Sequence, residues 1–160
     1  KMKIASIVET TSCSQNNFYM TKTFNRMLGT KISPVCFYLN LSSLSGWNQF
    51  AIMNIYYASG FFDGIMIATC LKTAEVLDKI NTNAQKYLYL QDLEWLRTPM
   101  QYENNLQLLK KFKILSRSES HQDNIANYCN MDSIILKNWD YETLKGLMEE
   151  YDRRKKKKGI

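Results

Sequence analysis

An α/β fold, a mostly parallel sheet of about six strands with helices on both faces, is what the order of apolar patterns along this chain predicts. Short apolar runs such as Lys3 to Val8 (KIASIV), Ile65 to Ala68 and Tyr87 to Leu90 alternate with stretches of helical periodicity. The runs are nearly continuous, as in strands covered on both faces. A third observation is the polar sequence after several of them, ETTSCSQN after the first and QDLEWLR after the fourth. Open α/β sheets keep ligands outside the carboxyl ends of their strands, so these stretches mark the edge where a site belongs.

Lys3 to Val8 is the first strand, and Glu9 to Asn16 is the polar loop behind it. Met20, Phe24, Met27 and Leu28 recur at helical spacing, and Gly29 stands where that helix stops. Pro34 opens a second strand over Val35 to Leu39, rich in residues that suit a pleated surface. Trp47 to Ala58 projects as a helix apolar on nearly every side. Trp47, Phe50, Ala51, Ile55 and Ala58 form one stripe, and Ile52, Met53, Tyr56 and Tyr57 fill much of the remainder. Such a helix is either sandwiched in the core or faces a partner, here a second copy or another protein. Asp63-Gly64 leads into a third strand, Ile65 to Ala68, and Thr73 to Ile80 is a short helix with Val76, Leu77 and Ile80 inward. Tyr87 to Leu90 is the fourth strand, and Pro99 suits the start of a helix marked by Tyr102, Leu106 and Leu109. Phe112 to Leu115 is the fifth strand. Arg117 to His121 follows it, then a helix with Ile125, Tyr128 and Cys129 on one side. Ser133 to Leu136 is the sixth strand, Asp140 caps the last helix, and Leu144, Leu147, Met148 and Tyr151 carry that helix into a basic end. No internal repeat or long linker divides the chain, so residues 1–152 read as one domain and 153–160 as a basic tail.

At 160 residues the chain suits one domain that buries about 70% of the surface its unfolded form exposes. Its 45% hydrophobic and 22% charged content are globular values. The net charge of +6 is supplied by Arg153 to Lys158, because the other 15 basic residues balance the 15 acidic ones. The basic run is therefore a local feature, either a solvated end or a contact for nucleic acid or another polyanion. Cys13, Cys36, Cys70 and Cys129 are widely spaced and the chain has one histidine, which argues against a zinc site and gives no disulfide framework. No signal peptide opens the sequence, and no apolar run reaches the roughly 18 residues of a membrane span. These features predict a cytoplasmic protein.

The loops after the first, fourth and fifth strands collect Ser12, Ser14, Gln15 and Asn16, then Gln91, Asp92 and Glu94, then Arg117, Ser118, Glu119 and His121 on one edge. There is no G-x-G-x-x-G after the first strand, no G-x-x-x-x-G-K-[ST] and no G-x-S-x-G, so dinucleotide, P-loop and hydrolase-elbow chemistry have no motif here. Asp92 offers two readings. At a strand's end beside apolar walls its pKa rises toward that of a general base; as a turn residue it binds nearby backbone amides. Glu94 pairs with Arg97 if the segment is helical. Trp95 is core or lid, or a stacking platform. His121 is a proton shuttle or anion contact, or a partly exposed structural residue. Ser118 and Ser120 read first as helix caps, whose amides also suit a phosphate or a sugar hydroxyl.

The stretch from Ile114 to Leu144, ILSRSESHQDNIANYCNMDSIILKNWDYETL, resembles the end of the N-terminal domain of retaining GT-B glycosyltransferases. In that family a strand ends in Ser, a helix follows, and the next strand runs into Asn-Gly-Val-Asp. Asn138 and Asp140 match that Asn and Asp, whereas Lys137, Trp139 and Leu144 depart from the pattern or match it loosely. KIASIV with its loop resembles the family's first strand and glycine-bearing loop, without the glycines. YLYLQD resembles the strand that often carries an acceptor-side His or Asp. The D-L-E-W-L and R-S-E-S-H segments are similar to ones in small glycosyltransferase-like proteins of T4-like marine phages.

The resemblance implies a Rossmann-like domain, one GT-B-type half, acting in glycosyl transfer to phage DNA or a glycan, in the host cytoplasm if phage-encoded. It makes Asp92 the acceptor-side base or orienting group. Ser12, Ser14, Gln15, Asn16, Gln91, Glu94, Trp95, Arg117, Ser118, Glu119 and His121 would line the cleft. Two such domains make a GT-B enzyme, with the second holding most of the sugar nucleotide, and residues 149–160 leave no room for a second sheet. The resemblance thus implies no cofactor in this chain and a sugar-nucleotide donor for the complete enzyme, the chain being a natural stand-alone half, a fragment, or one that needs a partner carrying the donor site. The competing class is a non-catalytic binding or assembly module that keeps the fold.

Overall fold

The computed structural model describes residues 1–43, 46–61, 63–93, 96 and 99–159. Seven strands form its sheet, β1 (Met2–Thr10), β2 (Ile32–Asn40), β3 (Ala51–Asn54), β4 (Ile65–Ala68), β5 (Gln85–Tyr89), β6 (Lys113–Ser116) and β7 (Ser133–Ile135). Among the described residues the helices are α1 (Gln15–Met27), α2 (Leu71–Asp78), α3 (Pro99–Leu109), α4 (Glu119–Cys129), α5 (Tyr141–Lys157) and a 3₁₀ helix, Ile55–Gly60. The strand order is β3-β2-β1-β4-β5-β6-β7, and every neighbouring pair is parallel. This is the doubly wound, Rossmann-like order.

The two faces of the sheet bury separate cores because successive strand side chains point to opposite sides. Ile4, Val8, Ile65, Ile67, Tyr87 and Tyr89 meet Phe24 and Met27 of α1 and Leu144 and Met148 of α5. Ala5, Ile7, Met66, Ala68, Leu88 and Leu90 meet Leu77 of α2, Leu109 of α3, and Ile125 and Cys129 of α4. Helices thus cover both faces, as expected.

Several local expectations are corrected. Trp47 to Ala58 is not a helix: its first residues form a loop held to α1, where Asn25 donates to the Trp47 carbonyl at 2.8 Å and accepts from the Gln49 amide at 3.0 Å. Ala51–Asn54 then pairs with β2 as a seventh strand, from Val35↔Ala51 to Tyr38↔Asn54. An apolar run with Ile and Tyr on all sides fits an edge strand as well as a helix, and periodicity alone does not separate them. Asn54 ends the strand by accepting from the Tyr56 amide at 2.9 Å, which starts the 3₁₀ turn. Pro34 lies inside β2 rather than opening it, one residue before pairing with β3 begins, where the strand's edge is free. Tyr128 and Leu28 are exposed, not part of the core stripes.

The basic residues from Arg153 through Lys157 continue α5, whose C-terminal dipole favours cations. Among the described residues no helix is long and apolar enough to cross a membrane.

Candidate functional site

The strand order reverses between β1 and β4, since β2 and β3 lie on one side of β1 and β4 to β7 on the other. The chain leaves β1 toward α1 and β4 toward α2, helices that belong to opposite faces, so a crevice opens at the carboxyl end of this pair. Thr69 stitches the two strands there, donating through Oγ1 to the Ile7 carbonyl at 2.8 Å. Thr73 in the first turn of α2 accepts from the Thr69 and Cys70 amides at 3.0 and 3.1 Å. The helix start is closed by its own side chain.

The loop after β1 is built from hydrogen bonds rather than glycines. Ser14 caps α1, accepting from the Asn17 amide at 3.0 Å, and Asn17 Nδ2 donates to the Thr10 and Ser12 carbonyls at 3.0 and 2.7 Å. Thr11 Oγ1 accepts from the Ser42 amide at 2.8 Å, tying this loop to the one after β2. A loop so pinned holds its shape but does not offer the bare backbone with which glycine-rich loops approach a phosphate.

Three adjoining cavities run along this edge. The first, about 390 Å³, is lined by Ser12, Ser14 and Gln15 together with Val8, Phe18, Cys36, Trp47 and Ile52. It is largely apolar, and the Phe18 and Trp47 rings stand 5.4 Å apart at its wall. Burial pushes the Cys36 thiol up to about 11, partly offset by a hydrogen bond from Ser6, so it supplies no thiolate there. The second, about 50 Å³, brings together Gln15, Asn16, Gln91 and Arg117 with Tyr89, Asn138 and Trp139. The third, about 290 Å³, holds Gln91 and Asp92 with Glu9, Thr69, Cys70 and Lys72. Gln15 joins the first cavity to the second, and Gln91 joins the second to the third. Gln91 Nε2 is buried without a hydrogen-bond partner.

Ser12, Ser14, Gln15, Asn16, Gln91, Asp92 and Arg117 therefore share one rim. Asp92 is exposed at the rim of the third cavity, where Leu71 and Leu90 line the wall beside the polar residues. Ser118 and Glu119 line none of the three cavities: Ser118 caps α4, accepting from the His121 amide at 3.2 Å, and Glu119 is exposed in the first turn. Ser120 lies inside α4 rather than capping it. Glu94, Trp95 and Arg97 lie outside the described residues.

His121 is buried at 8% exposure, not a partly exposed residue. Its Nδ1 accepts from the Arg117 amide at 3.1 Å, which leaves the proton of the neutral ring on Nε2, buried and without a hydrogen-bond partner. Burial first, and the Arg117 charge second, push the imidazole below its ordinary value, while the Asp92 carboxylate pulls the other way. A group whose pKa is lower folded than unfolded makes the unfolded chain take up its proton first. This contribution is nil well above the unfolded value of about 6.5 and erodes stability as the pH falls through it. Thermal melts between about pH 7.5 and pH 5 are expected to drop less for His121→Gln than for the native chain.

Trp139 and Tyr89 are the rim residues that sequence reasoning did not single out. The Trp139 indole is buried at 1% exposure and donates from Nε1 to Asn16 Oδ1 at 2.8 Å. Its ring meets Phe24 and Tyr89 edge-on at 5.8 and 5.4 Å, and its carbonyl accepts from Thr23 Oγ1 at 2.6 Å. The Tyr89 hydroxyl donates to the Leu136 carbonyl. The Asn-Trp-Asp run was the available signal: Asn138 and Trp139 both have positive φ, 51° and 56°, and Asp140 caps α5.

The fold is similar to that of a solved enzyme. An alpha-glucosyltransferase in complex with UDP and a 13-mer DNA containing a central A:G mismatch superposes with a TM-score of 0.55 and 10% sequence identity over 86% of this chain. The chain spans 41% of that protein's chain. No family model matches the sequence, and no curated protein matches it significantly. At this identity the likeness establishes the fold alone, a Rossmann-like domain of the kind that makes one half of a GT-B architecture.

Proposed function

We propose that the chain is the acceptor-side half of a GT-B sugar-transfer enzyme, with its cleft at the carboxyl edge of β1, β4, β5 and β6. The observation that carries this reading is the convergence of Gln15, Asn16, Gln91 and Arg117 on one cavity beside the strand-order switch of a glycosyltransferase-like fold. Asp92 stands next to Gln91 at the end of β5, in water and able to reach an acceptor hydroxyl from the rim, where it acts as base or orienting group. Gln91 and Arg117 hold acceptor oxygens. The apolar cavity between Phe18 and Trp47 takes the flat or apolar part of the acceptor, DNA or a glycan. The sugar nucleotide is held chiefly by a second domain, in a longer chain or in a partner.

Transfer from labelled sugar nucleotides to DNA and glycan acceptors tests this, with the chain alone and with a donor domain supplied. Product is expected with the donor domain present. Asp92→Asn is expected to lower the rate by about a hundredfold or more. No product from any donor and acceptor in either setting would remove the reading.

A second reading, a binding or assembly module, is favoured by the outer side of β3. There Met53 on the strand and Tyr56 and Tyr57 on the 3₁₀ helix after it are exposed, Tyr56 at 80%, and β3 pairs only with β2 among the described strands. Light scattering after size exclusion decides it, since a monomer at all concentrations would count against self-assembly through this edge.

A further inference from the structure

The positive charge of the chain is concentrated on the side of the sheet opposite the rim. There Arg154, Lys155 and Lys158 on and just beyond the last turn of α5 face Asn83 and Gln85, which lead into β5, across an open cavity of about 220 Å³. The helix end is fixed in place. Lys155 Nζ pairs with Asp63 at 2.7 Å, and the Tyr151 hydroxyl donates to Asp63 Oδ1 at 3.0 Å and to the Asn83 carbonyl at 3.2 Å. Arg154 is aligned by Glu150, four residues earlier, at 3.3 Å.

These carboxylates do not neutralise the site. The segment from Arg153 to Lys158 and Lys113 make seven cations, against Asp63, Glu150 and Asp152. Lys113, at the start of β6, has its pKa lowered first by burial and then by the Arg154 charge, so the two cations repel one another at this edge. Nothing comparable balances them elsewhere, since residues 1–152 carry equal numbers of acidic and basic side chains.

We infer that this cavity is a phosphate site for nucleic acid, in which Arg154 and Lys158 hold one phosphodiester, the side-chain amides of Asn83 and Gln85 complete its hydrogen bonds, and Arg153, Lys156 and Lys157 meet the flanking phosphates. A polyanion fits better than a single phosphate because the cations run along more than one turn of helix, further than one anion neutralises. Arg154 Nε and Nη2 are buried, so Arg154 meets a phosphate oxygen through Nη1, beside the point charge of Lys158. The inference does not depend on the sugar-transfer reading, because the site lies at the amino ends of the strands, away from the cleft.

Fluorescence anisotropy with a labelled oligonucleotide of about 20 nucleotides, over a salt series, tests it. Arg154→Gln with Lys158→Gln is expected to weaken binding about tenfold or more at low salt and to lower the salt slope by about 2. Gln85→Ala is expected to weaken binding about threefold with the slope unchanged, since a neutral donor releases no counterion. Lys156→Gln with Lys157→Gln removes the same charge outside the cavity and is expected to cost clearly less. Equal losses for the two double variants, or no effect of Gln85→Ala, would reduce the site to diffuse charge and overturn the proposal. Absence of binding by the native chain would overturn it too. So would inorganic phosphate at matched ionic strength binding as tightly as the oligonucleotide with the same dependence on Arg154, because the ligand would then be free phosphate. Unchanged melting temperatures in the variants would show that each effect is on binding.

Discussion

Gly64→Ala is expected to remove a large part of the stability of this domain. Gly64 holds φ at 99°, and a Cβ built on it overlaps the Lys3 carbonyl oxygen and comes within 2.9 Å of the Lys3 carbonyl carbon and Cβ. The obstacle is the backbone of β1, which cannot swing aside as the end of a side chain can. Gly64 also accepts from the Gln85 amide at 2.9 Å, so moving it disturbs the junction of β4 with β5 as well as with β1. Left-handed backbone costs a residue with a side chain about 1–2 kcal/mol, and overpacking against a fixed neighbour about 1–3 kcal/mol more. A total of roughly 2–5 kcal/mol is a large part of the 5–15 kcal/mol that holds a typical domain together. Urea denaturation should show the midpoint falling steeply. Gly29→Ala is the matched control: φ there is 80°, but the space around it is open, so only the backbone cost of about 1–2 kcal/mol applies. Equal effects at the two positions would mean that the contact with Lys3 does not matter.

Trp139→Ala is expected to cost about 3–5 kcal/mol, the usual range for emptying a large aromatic site in a core. The ring lies between Phe24 of α1 and Tyr89 of β5, so its loss separates α1 from the sheet at the end where the rim is built. Alanine brings no compensating relief, because it too is strained at a φ of 56°. Trp139→Phe distinguishes packing from the hydrogen bond. It keeps most of the apolar contact and leaves Asn16 Oδ1 without its donor, with an expected cost of about 1–3 kcal/mol. If both variants melted with the native protein, the indole would be a passenger at the rim.

Most of the architecture was legible because buried parallel strands need short continuous apolar runs and covering helices need a stripe. KIASIV, IMIA and YLYL leave little choice. The stop of α1 before Gly29 and the Asp140 cap of α5 were equally readable, since each rests on the chemistry of single residues. Trp47 to Ala58 was not readable, because an edge strand apolar on all sides shows neither period clearly, and what decided its state was the free edge of β2.

The candidate site divides along the same line. By itself the sequence placed Ser12 to Asn16, Gln91, Asp92 and Arg117 after strands of one parallel sheet, because in such a sheet every loop that follows a strand lies on the same edge. Only the tertiary structure decided which of them meet. Gln15, Asn16, Gln91 and Arg117 converge, while Ser118 is consumed as a cap and His121 is drawn into the interior. It also made Trp139 the post on which the rim stands, through contacts to residues more than a hundred positions away in the chain such as Asn16 and Thr23. It set three of the six cations of the charged end, Arg154, Lys155 and Lys158, into one wall of a cavity. Local chemistry fixes caps, turns and strand direction. Which side chains share a cavity depends on contacts between distant segments, and those form only when the two cores close on the sheet.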